Sequence, residues 1–156
     1  MIRTITIICI SLALAWSSYA ADRYFPAEGT LQTLIDASSP GDTVWIATGA
    51  YTTNITTVGV GGVIVQSVSG NPADTILDGG AAERVVIQAT NSWLVGLTIR
   101  NGWREDMSGN DGGAGVLNGY VSNCIVSGNT IGGAEAHGGG LAYCTVYNSE
   151  VMSNTA

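Results

Sequence analysis

The chain has 156 residues, 22 of them glycine, and a formal net charge of −7 at neutral pH. Positive mean hydropathy and a charged fraction of only 11% argue against an intrinsically disordered chain. Only five residues are Lys or Arg, too few to build a surface that follows a phosphate backbone, so we expect no nucleic-acid partner.

The first twenty residues have the pattern of an export signal. Arg3 gives a positive start, residues 5–14 form an apolar stretch, and Ser18 and Ala20 are small residues that suit a signal peptidase. The apolar stretch is shorter than the ~20 residues that a membrane-spanning helix needs. We therefore predict cleavage after Ala20 and an exported mature chain, residues 21–156. We expect this chain in the extracellular space or on the cell surface, associated with an outer membrane, and without a membrane-spanning segment.

A short amphipathic segment opens the mature chain. Leu31, Leu34 and Ile35 fall on one helical face, which predicts a helix over about residues 30–38. Repeat proteins need a terminal unit that covers their apolar core, and this helix would serve as that cap. The first strand is predicted directly after it, at residues 43–47.

Short runs of alternating apolar and polar residues fill most of the remaining chain. This period of two is typical of strands, and Gly, Asn, Ser and Asp separate the runs as turn residues. The apolar positions of three such runs are Val44 and Ile46, Val85 and Ile87, and Val95, Leu97 and Ile99.

The C-terminal third repeats with a shift of about 25 residues, which lies within the usual range of periods in solenoid proteins. Residues 113–130 align with residues 138–155, and residues 97–102 resemble residues 124–129 at a slightly longer shift. A period in the twenties with three short strands is what one coil of a β-solenoid needs, with coils stacked ~4.8 Å apart. We predict an all-β fold: a single-stranded right-handed parallel β-helix (β-solenoid) with a short N-terminal capping helix. A β-sandwich is the alternative, but it does not explain in-register identity between successive units.

The same register places Asn129 over Asn154 at one corner of successive coils. Stacked side-chain amides both donate and accept along such a ladder. Asparagine is also a common turn residue that tolerates the left-handed conformation. The sequence leaves both interpretations open.

Two cysteines, Cys124 and Cys144, remain once the signal is removed. In the predicted register Cys144 stacks on Gly119, five residues and roughly 16 Å of extended chain before Cys124, whereas bridged Cα atoms lie within ~7 Å. We therefore predict two free thiols, with Cys124 pointing inward beside Val126.

Several stretches resemble known β-helix families. Residues 31–51, Asn71-Pro-Ala-Asp-Thr-Ile-Leu-Asp-Gly79 and residues 96–102 are similar to pectin-lyase-like right-handed β-helix proteins. Gly138-Gly-Gly-Leu141 and Val126-Ser-Gly-Asn129 are similar to repeats of polymorphic outer-membrane proteins and related autotransporter passengers, with Val in place of the usual Phe. The resemblance covers nearly the whole mature chain and implies the β-helix fold.

The resemblance implies no single activity, because the same scaffold hosts lyases, hydrolases, esterases, adhesins and passenger domains. The lyases pair a Ca²⁺ site of clustered carboxylates with a basic residue, and the hydrolases need two or three carboxylates at fixed separation. Carboxylates do not recur at one strand position in neighbouring coils of this sequence, and only Glu135 and Glu150 follow Gly112. We therefore assign no catalytic residue.

The densest polar cluster spans residues 103–111, between two coils. Its acidic side chains are oxygen ligands of the kind Ca²⁺ prefers, and they make the candidate metal site: Glu105, Asp106 and Asp111. A flat apolar ring and two guanidinium groups suit a sugar and its carboxylate, and they make the candidate ligand site: Trp103, Arg100 and Arg104. The alternative is a solvated loop with Trp103 folded back onto the solenoid.

Two classes of function follow. The first is a non-catalytic secreted or cell-surface module, adhesin-like or passenger-like, whose sheet faces bind a polysaccharide or surface glycan. The alternative is the N-terminal part of a carbohydrate-active enzyme, a polysaccharide lyase or glycoside hydrolase, with its active site beyond residue 156. Because no polar terminal unit follows the last repeat, we expect further coils, or self-association through an open C-terminal end.

Overall fold

The computed structural model describes residues 19–105, 112–133 and 138–156. Most of the predicted export signal lies outside them, so its cleavage stays a prediction. A short helix, α1, spans Leu31–Asp36, and a 3₁₀ turn spans Pro72–Asp74. In chain order the strands β1 to β17 are Asp22–Phe25, Thr43–Ile46, Gly49–Thr52, Ile55–Thr56, Ile64–Ser67, Thr75–Asp78, Val86–Ile87, Trp93–Val95, Thr98–Arg100, Trp103–Glu105, Val116–Leu117, Tyr120–Ser122, Ile125–Ser127, Thr130–Gly132, Leu141–Ala142, Thr145–Tyr147 and Glu150–Met152.

The strands form parallel sheets in which each strand pairs with strands of the neighbouring coils. Sheet A has the order β1-β2-β5-β8-β12-β16, sheet B is β3-β6-β9-β13-β17, sheet C is β4-β7-β11-β15, and β10 pairs with β14 in the short sheet D. The residues that stack along one column of sheet A come from five successive strands: Thr43, Ile64, Trp93, Tyr120 and Thr145. The chain is therefore a parallel β-solenoid of about four turns, which confirms the predicted fold class.

The register of the last coils agrees with the repeat. Val121 pairs with Val146 and Val126 with Val151, as the predicted shift requires. One coil earlier, Thr98 pairs with Ile125, which is a slightly longer step along the chain. The slightly longer shift predicted between residues 97–102 and residues 124–129 is therefore also confirmed.

The core is a thin stack of apolar columns. Because strand residues alternate between two faces, every second side chain points inward and meets its counterpart in the next coil. Burial of one such aliphatic side chain contributes about 1.5–3 kcal/mol. Two of the columns are fully buried: Val44, Val65, Leu94 and Val121 in sheet A, and Leu77, Ile99 and Val126 in sheet B.

The N-terminal end differs from the prediction in one respect. The first strand is β1, which pairs in parallel with β2, so the strand predicted first is the second. Its sequence, Asp-Arg-Tyr-Phe, lacks the apolar alternation that identifies the other strands. Tertiary contacts hold it instead, since Arg23 donates from Nη2 to the carbonyl of Ala37 at 2.6 Å and from Nε to Ser38 Oγ at 3.2 Å.

The predicted helix is present but shorter, ending at Asp36. Thr30 is its N-cap and accepts a hydrogen bond from the Thr33 amide, and the three predicted apolar residues are buried. Gln32 joins the helix to the exposed edge of sheet C, where its Nε2 donates to the carbonyl of Thr56 at 3.0 Å and its Oε1 accepts from the Thr56 amide at 2.9 Å. The helix therefore covers the end of the core and satisfies part of a free sheet edge.

Asp42 links this cap to the first coil, and it gives a pH-dependent prediction. Hydrogen bonds from the backbone amides of Ala21 and Ser39, together with the nearby Arg23, hold the pKa of Asp42 below its ordinary value of 3.8 despite its burial. A carboxyl group whose pKa is lower in the folded chain than in the unfolded chain stabilises the fold at any pH above the unfolded-state pKa. This stabilisation is lost as the pH falls through the folded-state pKa. We expect Asp42→Asn to unfold at lower urea concentration than wild type at pH 7, with the difference shrinking below about pH 3.8.

Glu28→Gln, at an exposed carboxylate near the same cap, is the control for this comparison. It should follow the wild-type urea midpoint at both pH 7 and pH 3. If the Asp42→Asn difference were equal at both pH values, the ionised carboxylate would not be the stabilising species.

The asparagines serve both of the roles that the sequence left open, but at different positions. Asn129 is fully buried, and its Nδ2 donates to Oδ1 of Asn154 at 2.9 Å, so this pair forms the ladder. Other asparagines have positive φ and are turn residues: Asn101, Asn118, Asn123 and Asn148.

Both cysteines are free, as predicted, and Cys124 points into the core. Burial raises the pKa of Cys124 and that of Cys144 to about 11 each. Since the thiolate is the reactive species, the shift from the ordinary value near 9 lowers the reactive fraction at pH 8 about a hundredfold.

We therefore expect slow modification of the native chain by a thiol reagent at pH 8 and rapid modification in denaturant. The mature chain should then yield two equivalents of thiol, and three would show that the segment containing Cys9 is retained. Rapid reaction of both thiols in the native chain would contradict their burial.

Among the described residues, no helix is long and apolar enough to cross a membrane.

Candidate functional site

The structure describes four of the six predicted site residues, and it places Arg100 on the outer face of sheet B. Its Nε donates to Oδ2 of Asp78 on the neighbouring coil at 2.8 Å. Burial alone would raise the pKa of Asp78, but hydrogen bonds from the Gly80 amide, Arg100 and Asn101 outweigh it and lower that pKa. Arg100 therefore already has a protein carboxylate as its partner.

The other three described residues form β10. The cluster predicted as a loop begins as a strand here, because Trp103 to Glu105 pair in parallel with β14 of the next coil. All three side chains are exposed, and the Trp103 side chain is exposed to 40%. Asp106 and Asp111 lie outside the described residues, so the predicted Ca²⁺ site is described only at Glu105.

A cleft of about 480 Å³ lies beside the outer face of sheet C. Helix α1 and β4 form one side, and the turn before β7 and strand β10 form the other. We call it the helix–sheet cleft. Its lining residues are mostly polar: Gln32, Asp36, Asn54, Ile55, Thr56, Glu83, Arg84, Ile87 and Arg104.

Local sequence explains the helix side of the cleft. Gln32 and Asp36 are four residues apart, so they share one face of α1, and Gln32 Nε2 donates to Asp36 Oδ1 at 2.7 Å. The bonds of Gln32 to the Thr56 backbone then fix this pair beside sheet C. The Asp36 carboxylate is held at the cleft by these contacts.

The opposite side depends on Arg84, which is only 7% exposed. Its Nε donates to the carbonyl of Gly113 at 2.8 Å, and its Nη2 donates to the carbonyl of Gly112 at 3.1 Å. The next coil is thereby joined to the cleft wall. Glu83 precedes Arg84 and is exposed, and its backbone carbonyl accepts from the Trp103 amide at 3.0 Å, which fixes the start of β10.

The cleft therefore combines two carboxylates, two guanidinium groups and two side-chain amides above an apolar floor that includes Ile87. Such a surface donates and accepts hydrogen bonds at several points, which suits a ligand with many hydroxyl groups. A smaller hollow of about 210 Å³ shares Asn54 and Glu83 with the cleft and extends it toward the end of β6. Together they form an elongated polar depression.

Of the predicted residues that the structure describes, Arg104 lines the cleft, whereas Arg100, Trp103 and Glu105 do not. Sequence reasoning missed Asp36, Glu83 and Arg84. The four-residue spacing of Gln32 and Asp36 on a predicted helix was a signal for a shared face. No sequence pattern indicated that Glu83 lies near the helix, because their positions in one cleft depend on the length of the intervening coil.

Within the described ranges, no group of three or more His, Cys, Asp or Glu side chains is placed to hold a metal ion. The Ca²⁺ prediction therefore still concerns the segment that contains Asp106 and Asp111. If this segment binds Ca²⁺, millimolar CaCl₂ should raise the melting temperature of the wild-type chain, because a ligand of the folded state stabilises it. The triple variant Glu105→Gln, Asp106→Asn, Asp111→Asn should not respond, and an equal response would contradict the site.

Comparison with protein-family models, with curated proteins and with solved structures finds no match to this chain, so its architecture and its clefts are the basis for assigning a function.

Proposed function

We propose that this protein is an exported, cell-surface or extracellular β-solenoid module that binds a glycan and is not itself catalytic. The observation that carries the proposal is the helix–sheet cleft, where polar side chains of both charge signs converge from the helix, sheet C and β10. The motifs similar to pectin-lyase-like proteins and to autotransporter passengers support a carbohydrate ligand and an adhesin-like or passenger-like role at the cell surface.

The ligand class that fits the cleft best is an acidic glycan. Arg104 is exposed at the cleft, and its guanidinium group suits a sugar carboxylate, whereas the nearly buried Arg84 adds only positive charge to the cleft wall. Asp36 and Glu83 accept hydrogen bonds from hydroxyl groups, and Asn54 both donates and accepts. A Ca²⁺ ion held by residues of the 105–111 segment would add further affinity for uronate carboxylates.

Affinity electrophoresis in gels that contain polygalacturonate tests the proposal. We expect the wild-type chain to be retarded, and we expect Arg104→Ala to weaken the apparent affinity about tenfold, the loss of one charge-assisted contact. Arg100→Ala is the matched control, because it removes an equal charge from a site outside the cleft. Equal weakening by both variants would indicate a general charge effect and would contradict the cleft as the site.

In the enzyme alternative the active site is expected beyond residue 156, but one observation favours an active site within this chain. Asp36 and Glu83 place two carboxylates in the same cleft, and glycoside hydrolases use such a pair as acid and base. Release of reducing ends from polysaccharide by the wild-type chain, lost in Glu83→Gln and in Asp36→Asn, would establish a hydrolase. Glycan binding without any release would support the non-catalytic module.

A further inference from the structure

The outer face of sheet A carries a row of aromatic side chains along the solenoid. Tyr24 and Trp45 stand at outward positions of β1 and β2, and Trp93, Tyr120 and Tyr147 follow on β8, β12 and β16. We call these five residues the aromatic row. It belongs to a different sheet from the helix–sheet cleft, and none of its members lines that cleft.

Three of the rings form a stack. The centroids of Trp93 and Tyr120 are 4.5 Å apart with planes inclined by 13°, and those of Trp93 and Tyr147 are 5.9 Å apart with an inclination of 14°. The three rings come from successive strands of sheet A, so their contacts join neighbouring coils and stabilise the solenoid. The outer rim of the stack faces solvent, with Tyr147 exposed to 47% and Trp93 and Tyr120 half-buried.

The polar groups on this rim lack partners within the described part of the chain. Neither the hydroxyl groups of Tyr120 and Tyr147 nor the indole N–H of Trp93 makes a hydrogen bond there, whereas the indole N–H of Trp45 donates to Asp22 at 2.8 Å. Aromatic rings with free hydroxyl and N–H groups combine apolar contact with hydrogen bonding, and such residues are enriched where proteins meet ligands.

Charge identifies the kind of ligand. At the outward positions of sheet A, Asp22 is the one charged side chain among the described residues, although the whole chain has a net charge of −7. A face without cations does not attract an acidic glycan. A second copy of the chain would bring seven further negative charges, whereas an uncharged polymer brings none.

We propose that the aromatic row binds an uncharged, linear polysaccharide that lies along the solenoid axis. The row extends over six strands from β1 to β16, a length of roughly 24 Å at the usual strand spacing, which accommodates several sugar rings. It is interrupted at β5, whose outward side chains are Ile64 and Gln66. The apolar C–H groups of the sugars pack against the solvent-exposed ring surfaces, and the sugar hydroxyls bond to the free phenol and indole groups. This site is separate from the proposed acidic-glycan site.

The test is affinity electrophoresis in gels that contain hydroxyethyl cellulose, glucomannan or neutral xylan. We expect at least one of these to retard the wild-type chain, and we expect Tyr147→Ala to weaken the apparent affinity about tenfold. Tyr143→Ala is the matched control, because Tyr143 is 70% exposed in the turn between β15 and β16. Retardation by none of the three polymers, or equal loss in both variants, would overturn the proposal.

Two further variants distinguish loss of binding from loss of folding, and binding at the aromatic row from binding at the helix–sheet cleft. Ser122→Glu places a charge on the same face without removing a ring, and it should also weaken binding while the melting temperature stays near that of wild type. Arg104→Ala should bind the neutral polymers normally even if it loses polygalacturonate. If the wild-type chain sedimented as a dimer that Ser122→Glu dissociated, the face would bind a second copy and the polysaccharide proposal would be wrong.

Discussion

Replacing Asn129 with alanine is expected to lower the free energy of unfolding by about 3–5 kcal/mol, because it leaves several buried polar groups without partners. The Oδ1 of Asn129 accepts from the Gly102 amide at 2.8 Å. Its Nδ2 donates to the carbonyls of Ile99 and Ser127 at 3.2 Å each, and to Asn154 Oδ1 at 2.9 Å. Each buried group without a partner costs about 1–3 kcal/mol, and the site is closed to water.

Equilibrium urea unfolding followed by circular dichroism measures this effect. Asn154→Ala is the first control, because the same ladder position one coil later is only half-buried, so the loss should be smaller. Asn118→Ala is the second control, since Asn118 is a turn residue with positive φ, and it should cost about 1 kcal/mol. A loss below about 1 kcal/mol for Asn129→Ala, less than one unsatisfied buried group costs, would mean that the ladder does not hold these coils together.

Gly102→Ala should destabilise the chain by about 3 kcal/mol or more, although it adds only one methyl group. A Cβ built on Gly102 would overlap the carbonyl oxygen of Ala114 and would lie 2.9 Å from Asn129 Oδ1. The backbone cannot withdraw freely, because the Gly102 carbonyl accepts from the Thr130 amide at 2.9 Å and the Gly102 amide donates to Asn129. Overpacking of this kind costs about 1–3 kcal/mol, and the broken hydrogen bonds add to it.

Gly132→Ala is the matched control for this substitution. Among the described residues, a Cβ at Gly132 meets no atom within 4 Å, and the φ of Gly132 is not in the left-handed region. Alanine there should be neutral, or stabilising by up to about 1 kcal/mol, because it reduces the entropy of the unfolded chain. In thermal melting, Gly102→Ala should unfold at a clearly lower temperature than Gly132→Ala. Similar melting temperatures would show that the coils separate easily at Gly102.

The fold could be predicted because its physical causes are local and periodic. A period of two in apolar residues marks strands, and matches such as Val126 with Val151 reveal which residues stack on each other. The free thiols followed from the same register, since one coil spacing separates Cys144 from Gly119 rather than from Cys124. In a solenoid each coil contacts mainly its neighbours, so sequence spacing translates directly into spatial position.

The candidate site could be predicted only in part. Arg104 was identified as a ligand residue, and it does line the cleft. Arg100, four positions earlier, lies on another sheet face and pairs with Asp78, because a corner of the coil separates β9 from β10. Distance along the chain is therefore a poor guide to shared surface wherever a corner intervenes.

Residue patterns alone predicted a stack of parallel strand coils, the register of the last repeats and an amphipathic helix near the start. That β1 precedes this helix, and that Asp36, Glu83 and Arg104 line one cleft, became known from the folded chain. The coils differ in length, since the step along sheet A is shortest from β1 to β2 and from β2 to β5, which are equal, and longest from β5 to β8. Stacking determines where the strands of each coil lie, whereas the turns contain the extra residues of the longer coils. Which residues share an outer surface therefore depends on the path of these turns in the folded chain.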